Sequence, residues 1–149
     1  MTTIIDTIIQ EQIDTPLRSI AGVSVLPGYM VHYANDLMDQ YSDVRFPCVS
    51  FQPVSDSTTS QSGAKKLKNS RIMRVIAAVD IINRATVNSK LNALLFDIRK
   101  ALIVNNSVNP TALTTLIFGD AVFKLPDSQD QYAFFELDIT INYVEVLNQ

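Results

Sequence analysis

The segment YAFFELDITINYVEV, residues 132–146, constrains the fold of this chain more than any other. Ala133, Phe135, Leu137, Ile139, Ile141 and Tyr143 alternate without a break against Phe134, Glu136, Asp138, Thr140 and Asn142. A period of two sends one set to each face of a sheet. At about 3.3 Å per residue such a strand runs roughly 50 Å, against ~17–20 Å for an ordinary one. It either bends sharply or overreaches the body of a small domain. An overreaching part needs cover, and another copy of the same chain is the simplest source of it.

The 149 residues are expected to form a single domain that buries about two-thirds of the surface of its unfolded chain. No apolar run approaches the ~18 residues of a membrane span, and the best stretch, VIAAVDII at 75–82, is broken by Asp80. The first residues, MTTIIDTIIQEQ, carry Asp6 and Glu11, with no basic residue before Arg18, the wrong charge for a secretory signal. Cys48 is the one cysteine, so no intrachain disulfide can form. The expectation is a soluble protein assembled in the cytoplasm.

The net charge of −3 conceals a segregation. Lys65, Lys66, Lys68, Arg71 and Arg74 place five of the twelve basic residues within ten positions, with no acid among them. The remaining seven basic residues face fifteen acidic ones, a balance of −8. An acidic body with a basic arm can pair its own copies head to tail or dock on an acidic partner. Equally, a Lys-rich loop keeps a sheet edge from aggregating.

Residues 3–13 read as a helix with Thr2 or Thr3 as cap, Asp6 in its first turn and Ile5, Ile8, Ile9 and Ile13 as its apolar face. Pro16 is expected to break it, with a short helical restart at Thr15-Pro16 ending near Gly22. A short strand at 23–26 and a strand FPCVSF at 46–51 follow, separated by a stretch at 29–45 that allows one helical turn around 35–40. The Ser/Thr-rich segment 52–69 is either a long loop or the tip of an extended hairpin. Strand 70–83 has a wholly apolar face (Met73, Val75, Ala77, Val79, Ile81) and a mixed one (Ile72, Arg74, Ile76, Ala78, Asp80, Ile82) suited to partial cover by a neighbour. In a helix at about 86–104, Val87, Leu91, Leu94, Leu95, Ile98 and Leu102 form one stripe; Thr86 or Asn83 caps its start and Asn105-Asn106 ends it. A strand at about 113–124, a turn at Pro126-Asp127-Ser128 and the final strand make a hairpin. The expected class is α+β: a mainly antiparallel sheet flanked by an N-terminal helix and a central amphipathic helix.

Residues able to do chemistry are few. With His32 the sole histidine and no second cysteine, no histidine- or thiolate-based metal cluster can be assembled. His32 and Asp36 stand four apart and can share a helix face, although a surface hydrogen bond is the commoner outcome of such a pair. Cys48 lies in an apolar strand, as a packed thiol does. Glu136 and Asp138 share a strand face about 7 Å apart; such a pair holds a cation, does acid–base work or, most often, is simply the wet side of a strand. The chain has no Gly-rich phosphate loop, nucleophile elbow or metal-binding helix signature, so the expectation is a non-enzyme with no cofactor or metal.

In layout the chain resembles the tail terminator (tail completion) proteins of long-tailed bacteriophages. The likeness rests on the N-terminal helix near 3–20, FPCVSF after a variable stretch, RIMRVIAAVDI running into the helix SKLNALLFDIRKAL, and FFELDITINYVEV near the end. Members of that family form hexameric rings on the last ring of the tail tube, stop its polymerisation and offer the surface that joins the filled head. The resemblance implies a virion protein at the tube–neck junction: a homo-hexamer that meets tail tube protein and a neck or connector protein. Genomic DNA would pass through its lumen without specific binding. Lys65, Lys66, Lys68, Arg71, Ile72, Arg74 and Ile76 then become candidate interface residues, and Asp80, Glu136 and Asp138 candidate lumen acids that repel DNA. Another neck-region ring, a head-completion or connector adaptor protein, fits the same residues. From a different class, so does a small cytosolic accessory protein whose basic arm contacts nucleic acid.

Overall fold

A computed structural model of the chain describes residues 3–26, 45–63, 65–108, 115–124 and 132–147. The helical turn considered near 35–40, His32 with Asp36, and the Pro126-Asp127-Ser128 turn lie outside them. The class is α+β: a mixed five-stranded sheet, an N-terminal helix and a central one. The strands are β1 (Ser24–Val25), β2 (Cys48–Ser62), β3 (Lys66–Asp80), β4 (Thr115–Lys124) and β5 (Tyr132–Val146). They lie in the order β1-β2-β3-β5-β4, antiparallel except for the two-residue pairing of β1 with β2.

β5 occupies the span its alternation predicts, and it pairs with β3 over all fifteen residues, from Lys66 opposite Val146 to Asp80 opposite Tyr132. The segment 52–69 resolves as a hairpin, with β2 and β3 joined at a turn where Gly63 takes φ +67°, a left-handed conformation natural to glycine. Beyond Phe51, β2 is largely polar on both faces and offers no alternation to read, and register shifts at Pro53/Ser55 and Thr58/Ser60 reset its parity twice. Beyond its short contact with β1, β2 is an edge strand, where Pro53 and bulges are at home. β3 stops at Asp80, short of the expected 83, and Ile82 is 91% exposed in the turn that follows.

The N-terminal helix begins with a capping box. Thr3 Oγ1 accepts from the Asp6 N–H at 3.3 Å, and the Asp6 carboxylate accepts from the Thr3 N–H at 3.1 Å. A short α-helix restarts at Thr15-Pro16 as expected, but it ends at Arg18, short of Gly22, and no break in the helical path precedes it. A π-helical turn, Gln10–Asp14, carries α1 (Ile4–Ile9) into α2 (Thr15–Arg18), with the Thr15 N–H reaching back to the Gln10 carbonyl. Pro16 has no N–H to give and its ring crowds the fourth carbonyl back, and a widened turn relieves both. The central helix α3 (Val87–Val108) runs through Asn105-Asn106 rather than stopping there, because asparagine costs a helix only a few tenths of a kcal/mol more than a good helix former. Arg99 and Lys100 therefore sit mid-helix.

The core lies between the helices and one sheet face. Ile5, Ile8, Ile13 and Leu17 of the N-terminal helix and the whole Val87-to-Leu102 stripe of α3 are buried against Met73, Val75, Ala77, Val79, Phe135, Leu137, Ile139 and Ile141. A smaller second core covers one end of the opposite, outer face: Leu26, Cys48, Ile76, Ala78, Tyr132 and Phe134, with Phe46 stacked on Tyr132 at 5.4 Å. None of the described helices is long and apolar enough to cross a membrane.

Candidate functional site

Among the described residues, β4 pairs with β5 as far as Asn142, and beyond that point β2, β3 and β5 form a three-stranded arm. Four further β5 residues, Tyr143–Val146, carry it roughly 13 Å on. Most of β2 along this arm is exposed.

The inner face of the arm is bound by a belt of polar side chains. Asp56 accepts from the Arg71 Nε–H and from the Tyr143 hydroxyl, both at 2.7 Å. Asn69, buried in the centre, accepts from the Thr58 hydroxyl at 2.9 Å and donates to Glu145 Oε1 at 3.1 Å. Each of these contacts ties β3 to one neighbour or β2 to β5, so the arm is laced across all three strands. Burial pushes the Tyr143 phenol from 10.0 up to about 12, and the hydrogen bond to Asp56 acts the same way.

That shift sets a pH signature. A folded phenol that holds its proton more tightly than the unfolded one contributes stability that is complete below pH 10 and lost as pH rises through about 12. Tyr143→Phe is expected to lose about 1–2 kcal/mol at neutral pH, the usual worth of a half-buried hydrogen bond to a carboxylate. Its deficit against the wild type should shrink between pH 10 and 12 in urea titrations. A gap that stays constant with pH would show that this hydroxyl is not titrating as argued.

The basic segment 65–74 does not form one patch. Arg71 points inward to Asp56. Arg74 lies on the outer face, its Nε 2.9 Å from Asp138 Oδ1, its Nη2 3.4 Å from Asp138 Oδ2, and its Nε 3.7 Å from Glu136. Ile72, also on the outer face, is half-buried, whereas Ile76 is fully buried in the second core and lies beneath any surface a neighbour could reach. Lys65, Lys66 and Lys68 are exposed and have no ion pair among the described residues.

The three acids named as lumen candidates are each held by a cation: Glu136 and Asp138 by Arg74, and Asp80 by Lys90 at 2.9 Å. The carboxylate pair thus has a guanidinium where a divalent ion or a reacting group would need to sit. Among the described residues no group of three or more His, Cys, Asp and Glu side chains converges as a metal site would. Cys48 is buried, and burial raises its thiol from 9.0 to about 12.

Sequence reasoning missed the Asp56–Arg71–Tyr143 belt, whose members lie 15 and 87 positions apart. The one available signal was the acid in an otherwise Ser/Thr-rich strand. No protein-family model matches this chain, and no curated protein matches it.

Proposed function

We propose that this chain is a structural virion protein that closes into a ring, most simply a hexamer, on the end of a tail tube. In that position it stops tube growth and presents a surface for joining the head. The observation that carries the reading is the arm: three paired strands that, among the described residues, extend past the last pairing of β4. An extension of this kind can reach a neighbouring copy, and head-to-tail contacts that close by rotation leave two different faces, one for the tube and one for the neck. β4, the other sheet edge, adds Ile117, Val122 and Phe123, all at least 40% exposed, as further surface for such a contact. The role needs no catalytic group, metal or cofactor.

Light scattering at low and high salt, with and without assembled tail tubes, tests this. The expected result is a mass near six times 16.6 kDa, either alone or once tubes are added. Electron microscopy should place the protein at one tube end, with tube length fixed by its addition. A strict monomer or dimer that ignores tubes would overturn the proposal, and a ring that binds only the head portal would reassign it to a neck adaptor.

A further inference from the structure

The register of the arm sorts its side chains into two chemically different faces. Residues directly opposite one another in a ladder point to the same side. On the outer face, Lys66 lies beside Val146, Lys68 lies between Ser60 and Val144, Ser70 between Ser57 and Asn142, and Ile72 between Ser55 and Thr140. The two register shifts of β2 produce this arrangement. Without them Ser55 and Ser57 would share the face of Pro53 instead of the lysine face. All the carboxylates of the arm, Asp56 and Glu145, hydrogen-bond on the inner face, and the first acid on the outer face is Asp138 beside Arg74.

The outer face of the arm is therefore a plane of ammonium, hydroxyl and amide groups with no acid among its described residues. Lysine, serine, threonine and asparagine are the groups that contact phosphate and sugar in nucleic-acid complexes. Protein–protein interfaces, by contrast, are depleted in lysine and serine and enriched in aromatics, methionine and arginine. Apart from Ile72 and the two valines, no large apolar anchor lies in these rows, and Arg74 is engaged with Asp138.

We infer that the outer face of the β2–β3–β5 arm, through Lys66 and Lys68 with Ser57, Ser60, Ser70 and Asn142 around them, binds the phosphate backbone of duplex DNA without reading its sequence. The inference does not rest on ring closure, since a monomer presents the same face. It replaces the expectation of an acidic, repelling sheet face, because Arg74 and Lys90 offset two of the three acids there.

The test is binding of the full-length protein to a labelled 20-bp duplex of random sequence, from 50 to 200 mM salt. Each phosphate contact contributes a slope of about −0.9 to log K against log salt, so Lys66→Gln/Lys68→Gln should flatten the slope by about 2 and weaken binding at 50 mM salt roughly tenfold or more. Arg99→Gln/Lys100→Gln removes the same charge from α3 and should leave binding nearly unchanged. Both positions are exposed, and matching thermal melts verify the fold. No binding by the wild type at 50 mM salt, or equal losses in the two double variants, would overturn the inference. So would a lysine variant that changes molar mass but not duplex binding, which would assign the face to a protein neighbour.

Discussion

Phe135→Ala is expected to remove about 3–5 kcal/mol of stability, the usual consequence of emptying a fully buried aromatic site. Phe135 is 0% exposed in the first third of β5, opposite Ala77 on one side and Phe123 on the other. Its ring meets that of Phe123 at 5.7 Å and a 53° tilt, the offset geometry that adds to simple burial. Because β5 pairs with both β3 and β4, the cavity opens at the seam between two ladders and against the helices at once. A domain of this size has about 5–15 kcal/mol in total, so the variant should be partly unfolded at 37 °C. Phe123→Ala provides the contrast: it removes the same ring pair from a side chain 40% exposed on an edge strand, and should cost less than half as much. Urea titrations of the two variants measure the difference. Similar losses would mean that the core is not centred on β5.

The second large effect concerns the outer-face acids. Arg74→Ala leaves Glu136 and Asp138 about 7 Å apart on one strand face with their shared cation gone. Removing one partner of a fully buried pair typically costs 3–5 kcal/mol. Here the Arg74, Asp138 and Glu136 side chains retain 30%, 40% and 13% of their exposure, so solvent screening reduces the expected loss to about 1–2 kcal/mol. The triple variant Arg74→Ala/Glu136→Gln/Asp138→Asn should recover most of it, since the penalty lies in the uncompensated charges. If it recovers nothing, Arg74 contributes through the packing of its aliphatic stem instead. Either outcome bears on function, because an acid pair that exists to line a channel would tolerate the loss of its arginine.

The residues explain why some features were legible before the structure and others were not. β5 and the α3 stripe were readable because each buries one face against a continuous core, and burial of one face writes a period into the sequence. The helix start was readable to within a residue, Thr2 or Thr3, with Asp6 in the first turn, whereas the reciprocal capping box between Thr3 and Asp6 came from the structure. The N-terminal π-turn was not readable, because Pro16 signals only that a regular helix must give way, and not how. Nor was the strand character of 52–62, whose side chains on both faces are polar, so that hydrogen bonding to β3 rather than burial holds it in place.

The candidate site divides along the same line. The concentration of Lys65, Lys66, Lys68, Arg71 and Arg74 is a property of the sequence. Their sorting is not: whether Arg71 meets Asp56, Arg74 meets Asp138, or Lys68 lies beside Ser60 depends on strand register. A single bulge in β2 changes which face a residue occupies. Local periodicity thus determined the length of β5, the apolar face of β3 and the buried stripe of α3, since each follows from a pattern repeated between near neighbours in the chain. Only the tertiary structure decided which charges are paired, that Ile76 is hidden, and that the arm has an acid-free face. Those outcomes depend on which distant strands lie side by side, and in what register.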